Sequence, residues 1–314
     1  MNDDTQPEAG HIPEPRTSAP PRAWVSYVYA IGRSDTLLRT TAPRLTGVGG
    51  GVLRTVSHGA LAALVSSVPA DEFGTEGMKA QMEDLERLEM IARSHHAVVE
   101  AACGTTTVLP MRLATVYLDD TRVVAMLQER AQDFGELLAW LEGQVEMGVK
   151  VYADPRAAAV TTRPVPAAAD RQESPGRAYL RQRREQRRGH QDAYRAAGSV
   201  AAQVPGRVGA LVRARVAHRP QQGELASGAG ENIANEAYLV PVEHVEEFRA
   251  ALNGLTAGGV CGVRVDVTGP WAPYSFATPD LAPSPSPSPS PSPSPSPNPA
   301  ADHTSTGTGD SDER

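Results

Sequence analysis

The groups in this 314-residue chain best suited to acid–base, nucleophilic or metal chemistry are eight histidines and two cysteines. The histidines are His11, His58, His95, His96, His190, His218, His244 and His303. None forms a His-x-x-x-His pair, and Cys103 and Cys261 are far apart, so no metal-ligand spacing is present. His95 and His96 are adjacent, which on a helix turns them about 100° apart and away from a common ion. His95 falls on an apolar stripe and reads as an interior, hydrogen-bonded histidine. Cys103 comes at the end of a predicted helix, whereas a reactive thiolate favours a helix N-terminus or a neighbouring base. It reads as buried filler.

The glycines at 47, 49, 50 and 51 precede no Lys-Ser/Thr pair and lead into a strand, so they are a turn and not a phosphate loop. No Gly-x-Ser-x-Gly elbow or dinucleotide fingerprint occurs, and Asp119-Asp120 caps a helix. No enzyme and no cofactor is indicated. The remaining charged feature is a run of seven arginines between 177 and 195, set against Glu185 and Asp192. Arg183, Arg184, Arg187 and Arg188 are its centre and candidate partner contacts. The expectation is that two or three of these arginines share any one helical face. A solvated basic helix is the plain reading; as a functional surface it suits an acidic protein better than a nucleic acid, because the net charge is −7. A phosphate- or nucleotide-binding enzyme built on residues 177–195 is the alternative.

These residues need elements to hold them. Residues 23–31, "AWVSYVYAI", predict a first strand, followed by short strands around 52–56 and 61–65. Residues 76–102 predict one long helix, with Met78, Met82, Leu85, Leu88, Ala92, His95, Val99 and Ala102 on its buried stripe. A strand over 108–119 and a helix over about 120–142 follow. Residues 145–154, "VEMGVKVYAD", alternate cleanly and predict a strand. Residues 155–175 form a connection, 176–217 one or two helices with a kink or break at Pro205-Gly206, 232–241 a strand and 242–255 a helix. The last element is "VRVDVTGPWAPYSF", residues 263–276, a half-buried strand that runs into Gly-Pro and two large aromatics.

The pattern predicts an α+β chain of two mixed plait-like domains, the second ferredoxin-like in element order. The boundaries are a disordered tail at 1–21, an N-terminal domain at 22–144, a second domain at 145–278 and a disordered Ser/Pro-rich tail at 279–314. Which sheet receives the strand at 145–152 stays open. Two cysteines in a chain of this size, no apparent export signal and no apolar run of membrane-spanning length predict a cytoplasmic protein.

Several of these stretches together resemble one family. "VYAIGR", "LTGVGG", "VLPMRLATVY", "VEMGVKVY", "NEAYLVPVEHVEEFRAAL" and "VRVDVTGPWAPYSF" occur in order from about residue 24 to 276 and are similar to the gas vesicle protein F/L family, GvpL/GvpF. The family's "LTGPWPPYSF" differs here only by Val267 for its leucine and Ala272 for the first of its two middle prolines. The resemblance implies a non-enzymatic, two-domain α+β protein. It also implies a minor component of the gas vesicle that binds the hydrophobic shell protein GvpA and limits its aggregation during nucleation. A generic scaffold or chaperone unrelated to vesicles is a further alternative. In "GPWAPYSF", Pro270 and Pro273 stiffen the chain, so Trp271, Tyr274 and Phe276 are expected to lie against the body as a clasp.

Overall fold

The first strand, β1 (Trp24–Arg33), is apolar at almost every position because it is buried on both faces, from Val25 to Gly32. It lies within a sheet of order β2-β3-β1-β4, flanked by β3 (Leu61–Pro69) and, on the other side, by β4 (Val108–Pro110) and the short β5 (Val116–Tyr117). β2 (Leu53–His58) pairs with β3 through a turn at Gly59, whose φ of +57° suits glycine. This is a computed structural model, and it describes residues 23–155, 157, 175–220, 230–256 and 262–278.

Alternation along β1 sends its side chains into two cores. Tyr27 and Tyr29 join an apolar cluster with Ile91, Val98, Val99 and Ala102 of α4 (Leu85–Cys103). Val28 and Ile31 face α5 (Asp120–Glu129) and α6 (Ala131–Leu141), among Val123, Leu127, Phe134 and Leu138. Three further helices complete the first half: α1 (Thr36–Thr41), α2 (Ala70–Phe73) and α3 (Thr75–Glu83). The helix predicted over 76–102 is thus two helices, because the Asp84 carboxylate accepts a hydrogen bond from Arg87 N and starts α4 afresh. Leu85, expected on the buried stripe, is 78 % exposed as a result. The strand predicted over 108–119 is also divided, by a turn at Ala114 with φ of +63°.

The second sheet has the order β7-β8-β6-β9 and is antiparallel throughout. Its strands are β6 (Gln144–Ala153), β7 (Ala214–His218), β8 (Glu231–Pro241) and β9 (Val263–Trp271). The strand at 145–152 therefore belongs to this sheet alone. Met147, Val149 and Val151 of β6 pack with Ala197, Val200, Val204 and Val208 of α7 (Pro175–Val208) and with Phe248 and Leu252 of α8 (Val245–Thr256). The opposite face of the sheet supplies Ala237 and Leu239 to the cluster around α5 and α6. Two expectations for residues 176–217 change. Pro205 lies inside one continuous helix, and residues 214–218 are a strand. Both sheets belong to one compact unit. The tails and most of the 155–175 connection lie outside the described residues, as does Cys261.

Candidate functional site

The segment after β9 connects the two sheets through Ala272, Tyr274, Ser275 and Phe276. Gly269 prepares the turn: its φ is +106°, and a Cβ there would lie 2.7 Å from the Glu146 carbonyl oxygen. The Gly269–Pro270 bond is cis. Ala272 is buried in the core of the first sheet, and its backbone N–H donates to Glu100 Oε1 of α4 at 3.0 Å. Tyr274 packs on the same core, with its ring 6.4 Å from that of His95 and 6.2 Å from that of His96. Phe276 is fully buried in the cluster around α5 and α6, edge-on to Trp140 at 6.2 Å.

Ser275 turns back to the second sheet. Its N–H donates to Glu146 Oε2 at 2.8 Å and its hydroxyl to Glu146 Oε1 at 2.7 Å. His218 Nε2 lies 3.0 Å from the same hydroxyl oxygen. Serine, histidine and glutamate in contact invite comparison with a hydrolytic triad, but the order is different. A carboxylate can only accept, so the Ser275 proton points to Glu146 and His218 donates to Ser275. A general base would have to accept from the serine, with its own far nitrogen held by the acid. The arrangement is a fastening. Burial raises the Glu146 pKa above the usual carboxylate range, partly offset by the two bonds from Ser275 and by His218.

The histidine on α4 is placed as the sequence predicts. His95 is buried, with Nδ1 3.1 Å from the Tyr27 hydroxyl and Nε2 3.0 Å from the Met111 carbonyl oxygen. The carbonyl can only accept, so Nε2 carries the proton and Nδ1 accepts from Tyr27. Burial lowers its pKa to about 4, which keeps the ring neutral. Cys103 is half-buried against the first core, not the fully buried filler expected, and its thiol is pushed up to about 12 by burial and the neighbouring Glu100 charge. Among the described residues no group of three or more His, Cys, Asp or Glu side chains could hold a metal ion.

Trp271 departs from expectation. It is 43 % exposed, with its ring 5.7 Å from His96, so the buried anchor of the clasp is Phe276. Ala272 takes the inward place in this turn, and the indole stays at the rim. The indole borders an open cleft of about 390 Å³ lined by Glu100, Cys103, Val145, Val242, Trp271 and Pro273, among others. Val242, also in its lining, is 57 % exposed. Tyr274 is held differently from Trp271: its hydroxyl is buried without a hydrogen-bond partner among the described residues, and burial raises its pKa.

The arginines lie on the first half of α7, away from the cleft's lining. From Ala193 onward the helix buries a residue every three or four positions: Ala193, Ala197, Val200, Val204 and Val208. Before Ala193 no residue with a described side chain is buried, and Arg177, Arg181, Arg184 and Arg188 all stand in solvent. At 100° per residue these four fall within about 60° of one another, and Arg195 further along shares their angle, so one face carries five arginines where two or three were expected. Arg183 and Arg187 occupy another side, where Arg183 donates to the Tyr179 hydroxyl at 3.0 Å. Arg183, Arg184, Arg187 and Arg188 are thus not one patch. Helical angle, applied to 177 and 181 as well, was the signal that would have shown it.

Two antiparallel sheets packed with helices make this a mixed α/β protein of the class to which the solved gas vesicle GvpF structures belong. The chain is similar to GvpF from Anabaena sp. PCC7120, with a TM-score of 0.57, 20 % identity, and coverage of 82 % of this chain and 97 % of that one. It is also similar to GvpF from Microcystis aeruginosa, with a TM-score of 0.54, 18 % identity, and coverage of 81 % and 99 %. Residues 25–278 match the family described as gas vesicle synthesis protein GvpL/GvpF, and the chain belongs to that family. Among curated relatives, gas vesicle protein L of Streptomyces sp. (strain CB03234) is 39 % identical over 254 residues, covering 81 % of this chain and 92 % of that protein. Gas vesicle protein F of the same strain is 31 % identical over 272 residues, covering 80 % and 98 %.

Proposed function

We propose that this chain is a non-enzymatic assembly protein and minor component of gas vesicles that binds the hydrophobic shell protein GvpA and limits its aggregation during nucleation. The observation that carries the reading is family membership across residues 25–278. The contact we assign to the shell protein is the cleft beside Trp271, where an indole and Val242 offer apolar surface at the rim. An exposed aromatic at the edge of a cleft is a common anchor for a partner's apolar side chain. In this reading the protein acts in the cytoplasm and at the vesicle. Among the described residues no helix is long and apolar enough to cross a membrane.

The fold reading belongs to the same proposal. The division into two α+β domains at 144/145 is supported by β6 starting directly after Gly143. The element order β6-α7-β7-β8-α8-β9 with sheet order β7-β8-β6-β9 supports a ferredoxin-like second domain. The phosphate-site alternative fares worse, because its arginines stand on an exposed helix and, among the described residues, no second element lines the groove they form.

Co-expression with GvpA and affinity capture test the reading. The full chain is expected to retain GvpA and keep it soluble, and Trp271→Ala to lower the yield with the melting curve unchanged. Failure of the full chain to capture GvpA would overturn the assignment. Undiminished capture by Trp271→Ala would move the contact away from the cleft.

A further inference from the structure

The first half of α7 is an arm: residues 176–190 extend roughly 20 Å at 1.5 Å per residue, with no buried side chain among those described. A helical segment with no apolar face to bury gains little from tertiary packing, and short isolated helices are marginal in water. Its face of Arg177, Arg181, Arg184 and Arg188 is bordered by Leu180, which is 54 % exposed. On the same fold, the start of α4 presents the complement. Glu83, the last residue of α3, and Glu86 and Glu89 of α4 are exposed there, beside Leu85 at 78 % and Met90 at 61 % exposure. Leu85 and Glu89, like Glu86 and Met90, are one helical turn apart and share that side of the helix.

We propose that the arginine arm of one copy of this chain docks on the acidic and apolar face at the start of α4 in a second copy. Charge complementarity selects this occupant: four guanidinium groups meet three carboxylates, and Leu180 meets Leu85 and Met90. Arg181 and Glu89 exchange their exposed intrachain pairs, with Glu185 at 3.9 Å and Arg93 at 2.5 Å, for pairs between copies. Exposed ion pairs of this kind contribute little alone, so exchanging them costs little. The acidic face is preferred over Glu243, Glu246 and Glu247 near α8, because one exposed large apolar side chain, Val242, accompanies those and not a pair. A nucleic acid fits less well, since it would meet the field of a chain of net charge −7. The contact joins two different surfaces, so in each pair one copy keeps a free face and the other a free arm, and association proceeds head to tail. The inference does not depend on GvpA binding.

Sedimentation velocity on the full chain tests it, over a concentration series at about 0.05 M and about 0.5 M salt, where the screening length shortens roughly threefold. The expected result is concentration-dependent association at low salt that weakens at least about tenfold at high salt. Replacing Arg177, Arg181, Arg184 and Arg188 with Glu is expected to abolish association, as is replacing Glu83, Glu86 and Glu89 with Lys. The chain carrying all seven changes is expected to associate again, because the charges are exchanged. The substituted side chains are exposed, and circular dichroism checks that each variant folds. A wild-type chain that stays monomeric throughout, or seven changes that fail to restore association, overturns the proposal. So does a monomeric chain whose arm binds a labelled oligonucleotide, which would assign the arm to nucleic acid.

Discussion

Glu146 and Ser275 are 129 residues apart in the chain and joined by two hydrogen bonds, of 2.8 and 2.7 Å. Removing the carboxylate leaves both donors of Ser275 without this acceptor in a half-buried place. Glu146→Ala is expected to destabilise the protein by about 1–3 kcal/mol, measured by urea denaturation. An unchanged midpoint would show that the fastening carries no net stability.

The same carboxylate has a pH signature. Its folded pKa is raised, chiefly by burial. The folded state therefore binds more protons than the unfolded chain between the ordinary glutamate range and the raised value. Through that window Glu146 lowers stability as pH rises, and above it the effect is constant. Glu146→Gln is expected to flatten this component in denaturation curves taken across mildly acidic pH. A variant whose pH profile superimposes on that of the wild type argues against it.

His95 acts in the opposite direction. Burial lowers its folded pKa from 6.5 to about 4, so between those values the unfolded chain takes up a proton that the folded chain refuses. Stability then falls as pH drops from 6.5 and levels off below about 4, by roughly 2–4 kcal/mol in total. His95→Leu is expected to remove this acid sensitivity while costing stability at neutral pH, since the Met111 carbonyl loses its donor. Proton NMR of the imidazole would show the titration directly. A midpoint near 6.5 in the folded protein would refute the assignment.

The two aromatic ends of the closing turn separate cleanly. Phe276→Ala empties a fully buried site and is expected to cost about 3–5 kcal/mol. Trp271→Ala trims a side chain at the rim and is expected to stay below about 1 kcal/mol. Paired thermal melts decide it, and equal losses would place the indole in the core after all.

Gly269 tests the turn itself. Gly269→Ala places a Cβ 2.7 Å from the Glu146 carbonyl oxygen at a φ of +106°. The expected loss is at least about 1–3 kcal/mol. A neutral effect would mean that β6 and β9 can move apart at this point.

β1 is legible in the sequence because both its faces meet a core, and β6 and β9 because one apolar face alternates with a polar one. β7 is not: Ala214, Arg215, Val216, Ala217 and His218 are short, half-exposed and follow a helical run without a break, so the periodicity of α7 carries over them. Pro205 misleads in the other direction, since a proline in the last turn of a helix forfeits only one bond. His95 was readable as an interior residue from its place on an apolar stripe. The Glu146–Ser275–His218 fastening was not, because its members come from two strands and the turn after a third, and no local pattern connects them. The aromatic cluster in "GPWAPYSF" was legible as a clasp, but which ring it buries depends on how the chain turns after Gly269, and the sequence does not express that.

The turn from Ala272 to Phe276 supplies side chains to both faces of the first sheet and, through Ser275, a fastening to the second. During synthesis the first sheet emerges with these places vacant, and the second still lacks β9. Until the ribosome has delivered Phe276 the growing chain exposes core surface on both sheets, a state prone to capture by other apolar chains. Completion is therefore a late, single event, and a protein broken off before it is left sticky at several sites at once.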